Sequence, residues 1–546
     1  MATDTLHHPT LNCTIRGKPS ISTVQFRNLK YATIPRRWQD SVINDELSRD
    51  ADGVYDATQL GPSCPFDRAA QAWDLTLVGN VVMPMEGGIQ EPMDEFSCLQ
   101  VNVTVPQTHL EKAAQGEQLP VFVWVHGGGL SFGSNNWPQY DLTRFVERSV
   151  EIGKPVIGVA INYRVGILGF LASKELGIDG NFGYKDQVVA FQWIKKHIAG
   201  FGGDPNRITA SGESAGGISL STLLCVDTGG EALFEKVVIM SGDATLRKSR
   251  VRSWHDLMYQ DQLKLLGLDQ MEVEQRKTQL RELDPMEMVK ELPIAQHYCA
   301  CVDGNFLKEN ISLDLMADGS RGVHKPTWCK ELVIGDTRHD GTILHGRVLT
   351  LPKAFENLEA SCAQHLTESE TTTLFSTYNL PASTREPQHR SLNELISDLR
   401  FYLPTLAAHS GWKFAFPTER SSRYHFHVPN PVKGEFTDLA SHELDVALLL
   451  QNYAEHLDEA TNNAGTQMTD KWIKFVCGGP WSEPGKIVVV GARGIVQMDE
   501  DQYDREYRGG NGKMLLDLGL YKCFRVAEGW QGVRADIEEN ATSSRP

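Results

Sequence analysis

Two segments of the sequence carry a serine in the pattern Gly-x-Ser-x-Gly, which can expose a nucleophilic hydroxyl group. They are residues 212–216 (GESAG) and residues 129–133 (GLSFG). The first follows the strand-like run RITA and precedes an apolar, helix-like segment. That strand–turn–helix context lifts a serine hydroxyl above the end of a sheet. The second lies in a glycine run without this context. We therefore predict that Ser214 is a nucleophile and that Ser131 is a loop residue.

A glycine-rich segment upstream of Ser214 fits the same chemistry. Residues 126–129 (HGGG) directly follow the apolar run VFVWV. Backbone N–H groups at glycines can approach a developing oxyanion closely, because no side chain stands in the way. The alternative interpretation of this segment is a flexible glycine turn. Its position upstream of the serine turn favours an oxyanion hole.

An acid and a base follow Ser214 in the chain order that hydrolases with this serine turn use. Asp340 follows the strand-like run ELVIG, and His442 lies where a loop enters a helix-like segment. His339 is a rival base, but immediate chain neighbours such as His339 and Asp340 seldom face each other. We expect His442 to take the proton of Ser214 and Asp340 to orient the imidazole.

These residues need a scaffold of alternating strands and helices, and the sequence predicts one. Buried strand patterns near residues 120–125, 156–163, 207–210 and 234–242 alternate with helical patterns, which indicates a mostly parallel sheet. We expect an N-terminal extension over residues 1–19 and a single domain over 20–530. Helical insertions near 250–325 and 355–480 would form a cap, and residues 531–546 would be a disordered tail.

Composition excludes several classes of function. The 546 residues include 53 Lys and Arg against 70 Asp and Glu, a net charge of −17, which disfavours nucleic acid as a partner. We find no apolar stretch near the roughly 20 residues of a membrane span. The N-terminus has no secretory pattern, so we expect a cytoplasmic protein. The ten cysteines lack zinc spacing and are expected to be mainly free thiols, with no metal bound.

With these residues considered, the chain closely resembles the type-B carboxylesterase/lipase family, which includes the cholinesterases. The resemblance runs from about residue 20 to about residue 480. The segments that carry it are FRNLKYATIPRRW, NYRVGILGFLAS, GNFGYKDQVVAFQWIKKHIAGFGGDPNRITASGESAGG and VVIMSG. It implies an α/β-hydrolase fold, with a mostly parallel central sheet flanked by helices, and a serine esterase that needs no metal or organic cofactor.

The resemblance also assigns the site residue by residue. Ser214 becomes the nucleophile and Asp340 the acid, while His442 matches the family's His-x-x-acid pattern through Asp445. The oxyanion hole that it implies is formed by the N–H groups of Gly128, Gly129 and Ala215.

A disulfide is implied as well, because Cys64 (in GPSCP) and Cys98 (in SCLQVNV) match a cysteine pair of the family. The chain departs from the family at two places. The catalytic acid is Asp rather than the more common Glu, and Phe96-Ser97 replaces the acidic pair before the second cysteine.

We thus predict a serine hydrolase that cleaves small-molecule carboxylic esters through a Ser–His–Asp triad and an acyl-enzyme. One alternative is a transacylase or lactone-processing enzyme of small-molecule biosynthesis on the same fold. A more remote alternative is a non-catalytic binding protein. The sequence determines neither the acyl and alcohol groups of the ester nor the oligomeric state.

Overall fold

A mixed sheet with helices on both faces forms the core of the protein. The computed structural model describes residues 4–113, 116–294, 296–381, 385–416, 418 and 420–532. The predicted tail at 531–546 therefore lies almost wholly outside the described residues, apart from Gln531 and Gly532. No helix in the described ranges has both the length and the apolar character needed to cross a membrane.

The strands are short, and most belong to a single 13-stranded sheet. In chain order they are β1 (Thr5–His8), β2 (Cys13–Pro19), β3 (Thr23–Lys30), β4 (Ala32–Thr33), β5 (Val42–Ile43), β6 (Val54–Ala57), β7 (Gln100–Pro106), β8 (Leu119–Val125), β9 (Ile157–Ile161), β10 (Gly203–Glu213), β11 (Lys236–Met240), β12 (Arg250–Val251), β13 (Cys301–Val302), β14 (Glu331–Thr337), β15 (Ser421–Phe426), β16 (Ile487–Gly491) and β17 (Gly494–Met498). The spatial order of the sheet is β1-β2-β3-β7-β9-β8-β10-β11-β14-β15-β16-β17, with β6 beside β2.

The central strands, from β9 through β8, β10, β11, β14 and β15 to β16, pair in parallel. They read as nearly continuous apolar runs because helices cover both faces, as is usual for parallel strands. Parallel pairing brings the carboxyl ends of β8, β10 and β14 to the same edge of the sheet. The segments with HGGG, Ser214 and Asp340 follow these strands, so the topology gathers them.

Helices make up much of the ranges 250–325 and 355–480, which also contain β13 and the sheet strand β15. The helices of the chain are α1 (Ala70–Leu75), α2 (Gln107–Ala113), α3 (Thr143–Glu151), α4 (Gly166–Phe170), α5 (Phe182–His197), α6 (Ala215–Leu223), α7 (Arg252–Leu265), α8 (Val273–Glu282), α9 (Pro285–Glu291), α10 (Leu313–Ala317), α11 (Ala354–His365), α12 (Glu368–Thr377), α13 (Arg385–Ser397), α14 (Leu403–Ala415), α15 (Leu444–Leu450), α16 (Glu459–Val476), α17 (Glu500–Tyr507), α18 (Asn511–Leu518) and α19 (Leu520–Gln531). Several begin at a side-chain cap: Thr367 and Glu370 form a reciprocal capping box at α12.

The N-terminal segment differs from our expectation of an extension over residues 1–19. Within it, β1 and β2 pair with each other, and β2 joins β3 at one edge of the main sheet. In β2, Cys13 and Ile15 are buried while Thr14 and Arg16 between them are partly exposed, the alternation of a strand with one covered face. The segment is thus part of the sheet.

The fit of α6 against β8 yields a prediction about stability. A Cβ atom added to Gly216 would collide with the carbonyl oxygen of Val125, whereas one added to Gly322 would meet nothing within 4 Å. We expect Gly216→Ala to lower the free energy of unfolding by about 1–3 kcal/mol or more, because backbone atoms cannot move aside. Gly322→Ala should stay within about 0.5 kcal/mol of the parent. Urea unfolding of both variants tests this, and equal midpoints would contradict the close approach.

Candidate active site

Ser214 lies at the turn between β10 and α6 in a backbone conformation that serine rarely adopts. Its φ is 51° and its ψ is −119°, and such strain persists only where the surroundings impose it. The Ser214 N–H donates to the carbonyl of Met240 on β11 (3.0 Å), which ties the turn to the neighbouring strand. A Cβ on Gly242 would collide with the Ser214 carbonyl oxygen. The sheet therefore holds Ser214 at its edge, facing a cavity.

Asp340 and His442 meet in the interior although they are far apart in sequence. His442 Nδ1 lies 2.7 Å from Asp340 Oδ1, and both side chains are buried. The other Asp340 oxygen accepts the N–H of Thr337 (2.8 Å), and the His442 N–H donates to the Thr342 hydroxyl (3.0 Å). These bonds hold the two loops together and orient the imidazole.

The pKa values of this pair reflect burial and mutual attraction. Burial raises the pKa of Asp340, although the hydrogen bond with His442 opposes the rise. For His442, burial lowers the pKa, but the hydrogen bond and the charge of Asp340, with help from Glu443 and Asp445, outweigh it. The net result is a His442 pKa above its usual 6.5.

The second ring nitrogen of His442 faces a carboxylate that our sequence reasoning did not place there. Nε2 lies 3.0 Å from Glu213 Oε1. In the described part of the chain, no hydrogen bond joins the Ser214 hydroxyl to His442, although both residues line the same cavity. Catalytic hydrogen bonds in unliganded sites often form only when substrate binds. The structure thus brings Ser214, His442 and Asp340 to one site without closing the serine–histidine contact.

Glu213 belongs to a cluster of three buried acids, with Asp74 and Glu443. The Tyr140 hydroxyl lies 3.2 Å from Asp74 Oδ2 and 3.1 Å from Glu443 Oε1. Burial raises the pKa of Glu213 and of Glu443 well above the usual range, and it raises the pKa of Asp74 to about 6. Glu213 and Glu443 each adjoin a predicted site residue in sequence, so both have a local signal. Asp74 has no local signal.

The glycines of the HGGG segment lie on the cavity wall near Ser214. Gly128 and Gly129 have φ values of 99° and 60°, which favour glycine. A Cβ on Gly128 would collide with the carbonyl oxygen of Phe132. Ala215, the third residue of the expected oxyanion hole, is the first residue of α6 and directly follows Ser214.

The cavity encloses about 670 Å³ of unfilled space, part of it open to solvent. Its wall includes Ser131, which lies in a turn, as predicted for a loop residue. The Ser131 hydroxyl lies 3.2 Å from the carbonyl oxygen of Gln296. The rival base His339 is not among the lining residues. Its Nδ1 accepts the N–H of Ala440 (3.1 Å).

The predicted cysteine pair and possible metal ligands lie outside the triad. Cys64 and Cys98, the pair implied by the family resemblance, are buried free thiols in the structure. Within the described ranges, no group of three or more His, Cys, Asp or Glu side chains could hold a metal ion.

Comparisons with known proteins identify the family of the chain. The profile of the Carboxylesterase family matches residues 8–484. Lipase 1 of Yarrowia lipolytica is 36% identical over 242 residues, which cover 42% of this chain and 45% of the lipase. Lipase 3 of the same yeast is 30% identical over 342 residues, covering 62% of this chain and 63% of that lipase. The matched regions therefore span less than two thirds of either lipase.

A longer match and a solved structure extend the comparison. Para-nitrobenzyl esterase of Bacillus subtilis is 27% identical over 489 residues, 86% of each chain. The structure of a thermophilic para-nitrobenzyl esterase superposes with a TM-score of 0.70 at 22% identity, covering 94% of this chain and all of that one. The fold is that of the α/β-hydrolases, and the chain belongs to the carboxylesterase family.

Proposed function

We propose that this protein hydrolyses carboxylic esters of small molecules through an acyl-enzyme on Ser214. The observation that carries the proposal is the buried His442–Asp340 hydrogen bond of 2.7 Å at the same cavity as the strained Ser214. An imidazole oriented by a carboxylate beside a serine on such a turn is the arrangement that activates a hydroxyl for acyl transfer.

The proposed acylation step gives each of these groups a defined role. His442 Nε2 takes the Ser214 proton as the hydroxyl oxygen attacks the ester carbonyl carbon. The carbonyl oxygen becomes an oxyanion that accepts hydrogen bonds from the N–H groups of Gly128, Gly129 and Ala215. The proton then passes from His442 to the alkoxide, and the alcohol leaves. Asp340 stabilises the imidazolium that exists between these proton transfers.

Deacylation repeats the sequence with water in place of Ser214. His442 takes a proton from water, the hydroxide attacks the acyl carbon, and Ser214 leaves with the proton that His442 returns. To face Ser214 or water, the His442 ring nitrogen must exchange its contact with Glu213 for one with the reacting oxygen. A cytoplasmic location is part of the same proposal, and the free thiols of Cys64 and Cys98 support it.

The two Gly-x-Ser-x-Gly serines provide a matched test of the nucleophile. Ser214→Ala should abolish labelling by a fluorophosphonate probe and lower kcat by roughly 10³-fold to 10⁶-fold, because the acyl-enzyme cannot form. Ser131→Ala changes the same residue type on the same cavity wall and should retain labelling. Acid release from a p-nitrophenyl ester measures hydrolysis itself. Labelling that survives Ser214→Ala would refute the assignment.

Asp340 can be tested against a neighbouring buried aspartate. Asp340→Asn should lower kcat by about 10⁴-fold, since the amide stabilises the wrong imidazole tautomer and cannot stabilise the imidazolium. Asp336 lies on the same segment and is 2.9 Å from His425 Nδ1 rather than from His442. Asp336→Asn should keep most of the activity. A comparable loss in both variants would point to damaged folding instead of a role for Asp340.

The pH dependence follows from the raised pKa of His442. Only the neutral imidazole can take the Ser214 proton, so activity should be lost as pH falls through this pKa. We expect the acid limb of kcat/KM to have an apparent pKa above 6.5, because Asp340 outweighs the effect of burial. A profile measured with a neutral p-nitrophenyl ester tests this, and an acid limb below 6.5 would contradict it.

A further inference from the structure

Two arginine side chains line the catalytic cavity, and neither has a role in the chemistry described above. Arg247 follows β11 and is only 8% exposed, whereas Arg347 follows β14 and is exposed at the cavity. Guanidinium groups are planar, permanently charged forks that match carboxylates. Two such groups therefore give the cavity wall positive charge near Ser214.

Neither arginine has an acidic partner in the described part of the chain. Arg247 donates to His297 Nδ1 (2.9 Å) and to the carbonyl oxygen of Gln296 (3.4 Å), both neutral acceptors. Burial, followed by the charge of Arg347, lowers the pKa of Arg247 to about 9. Burying a cation without a counter-charge costs free energy. An anionic group in the cavity would supply the missing charge.

The position of Arg247 indicates which half of an ester would carry that anion. An added Cβ on Gly129 would lie 3.1 Å from Arg247 Nη2, so the guanidinium borders the proposed oxyanion hole. The acid cluster, in contrast, contacts His442 through Glu213. Because His442 protonates the leaving alcohol, the alcohol lies on the acidic side. The acyl chain then extends toward the arginines.

We propose, building on the ester hydrolysis proposed above, that the preferred substrates are half-esters of dicarboxylic acids. Arg247 and Arg347 bind the free carboxylate at the far end of the acyl chain, and this pairing orients the ester carbonyl at Ser214. Hydrolysis consumes one water, breaks the acyl C–O bond and releases the alcohol and the dicarboxylic acid.

A matched pair of substrates tests the proposal. Monoethyl adipate and ethyl hexanoate share a six-carbon acyl chain and differ by a terminal carboxylate in place of a methyl group. We expect kcat/KM for monoethyl adipate to be about tenfold to 100-fold higher, as measured by ethanol release at low ionic strength, because hydrogen bonds to charged groups are the strong ones.

Variants of both arginines determine whether the cavity produces this preference. Arg347→Gln and Arg247→Gln should each bring the adipate-to-hexanoate ratio toward one, and Arg247→Lys should keep part of it. Arg390, a surface residue of α13 whose side chain is 65% exposed, provides the control Arg390→Gln, which should keep the full ratio. Fluorophosphonate labelling reports that each variant is folded. If Arg247→Gln does not fold, the exposed Arg347 decides.

A third ester tests the orientation. The hexanoate ester of 3-hydroxypropanoic acid carries its carboxylate on the alcohol, away from the arginines, where it would be buried without a counter-charge. Its kcat/KM should therefore fall below that of ethyl hexanoate. The proposal is overturned if the wild type shows no preference for monoethyl adipate, if the preference survives both arginine variants, or if the alcohol-side carboxylate is favoured. Absence of both labelling and turnover with every ester would instead refute ester hydrolysis itself.

Discussion

The close approach of three backbone segments around Ser214 is the constraint on which the site depends. β8, β10 and β11 are parallel neighbours, and the turn after β10 lies against both flanking segments. Side chains at Gly216 or Gly242 would collide with the backbone of Val125 or of Ser214. Without side chains there, α6 starts close to the sheet, and Ser214 is kept in its strained conformation. The rest of the site is assembled around this fixed point.

Electrostatics organise the cavity around the same point. Burial raises the pKa values of Asp74, Glu213 and Glu443, so protonation limits the negative charge of this cluster. Arg247 and Arg347 line the same cavity and contribute positive charge without acidic partners in the described residues. An anionic group of a ligand is stabilised only next to these cations, so they select the orientation of a ligand as well as its composition.

The sequence predicted the parts of the site that rest on short-range patterns. The serine turn and the HGGG segment each directly follow a strand. The residue types in these short segments constrain the local backbone directly. Asp340 and His442 were identified from chain order and from their places after a strand and before a helix. Their contact depends on loops that meet in three dimensions, and the structure joins them at 2.7 Å. The mixed, mostly parallel sheet was predicted for the same reason, since apolar runs alternate with helical patterns.

What could not be predicted depends on contacts between distant segments. Nothing near Asp74 or Arg247 in sequence signals that each will line the cavity of Ser214. Strand β2 pairs with β3, but its partial exposure gives a weaker pattern than that of a buried central strand. The sequence of the N-terminal segment therefore favours an extension. The loops after β11 and β14 show why the residues that line the cavity could not be predicted. Parallel strands fix where these loops begin, and the insertions that follow determine which side chains reach the cavity. In this protein, Arg247 lies in the segment after β11 and Arg347 in the segment after β14. Cavity-lining residues in such loops can change while the strands keep the catalytic residues in place.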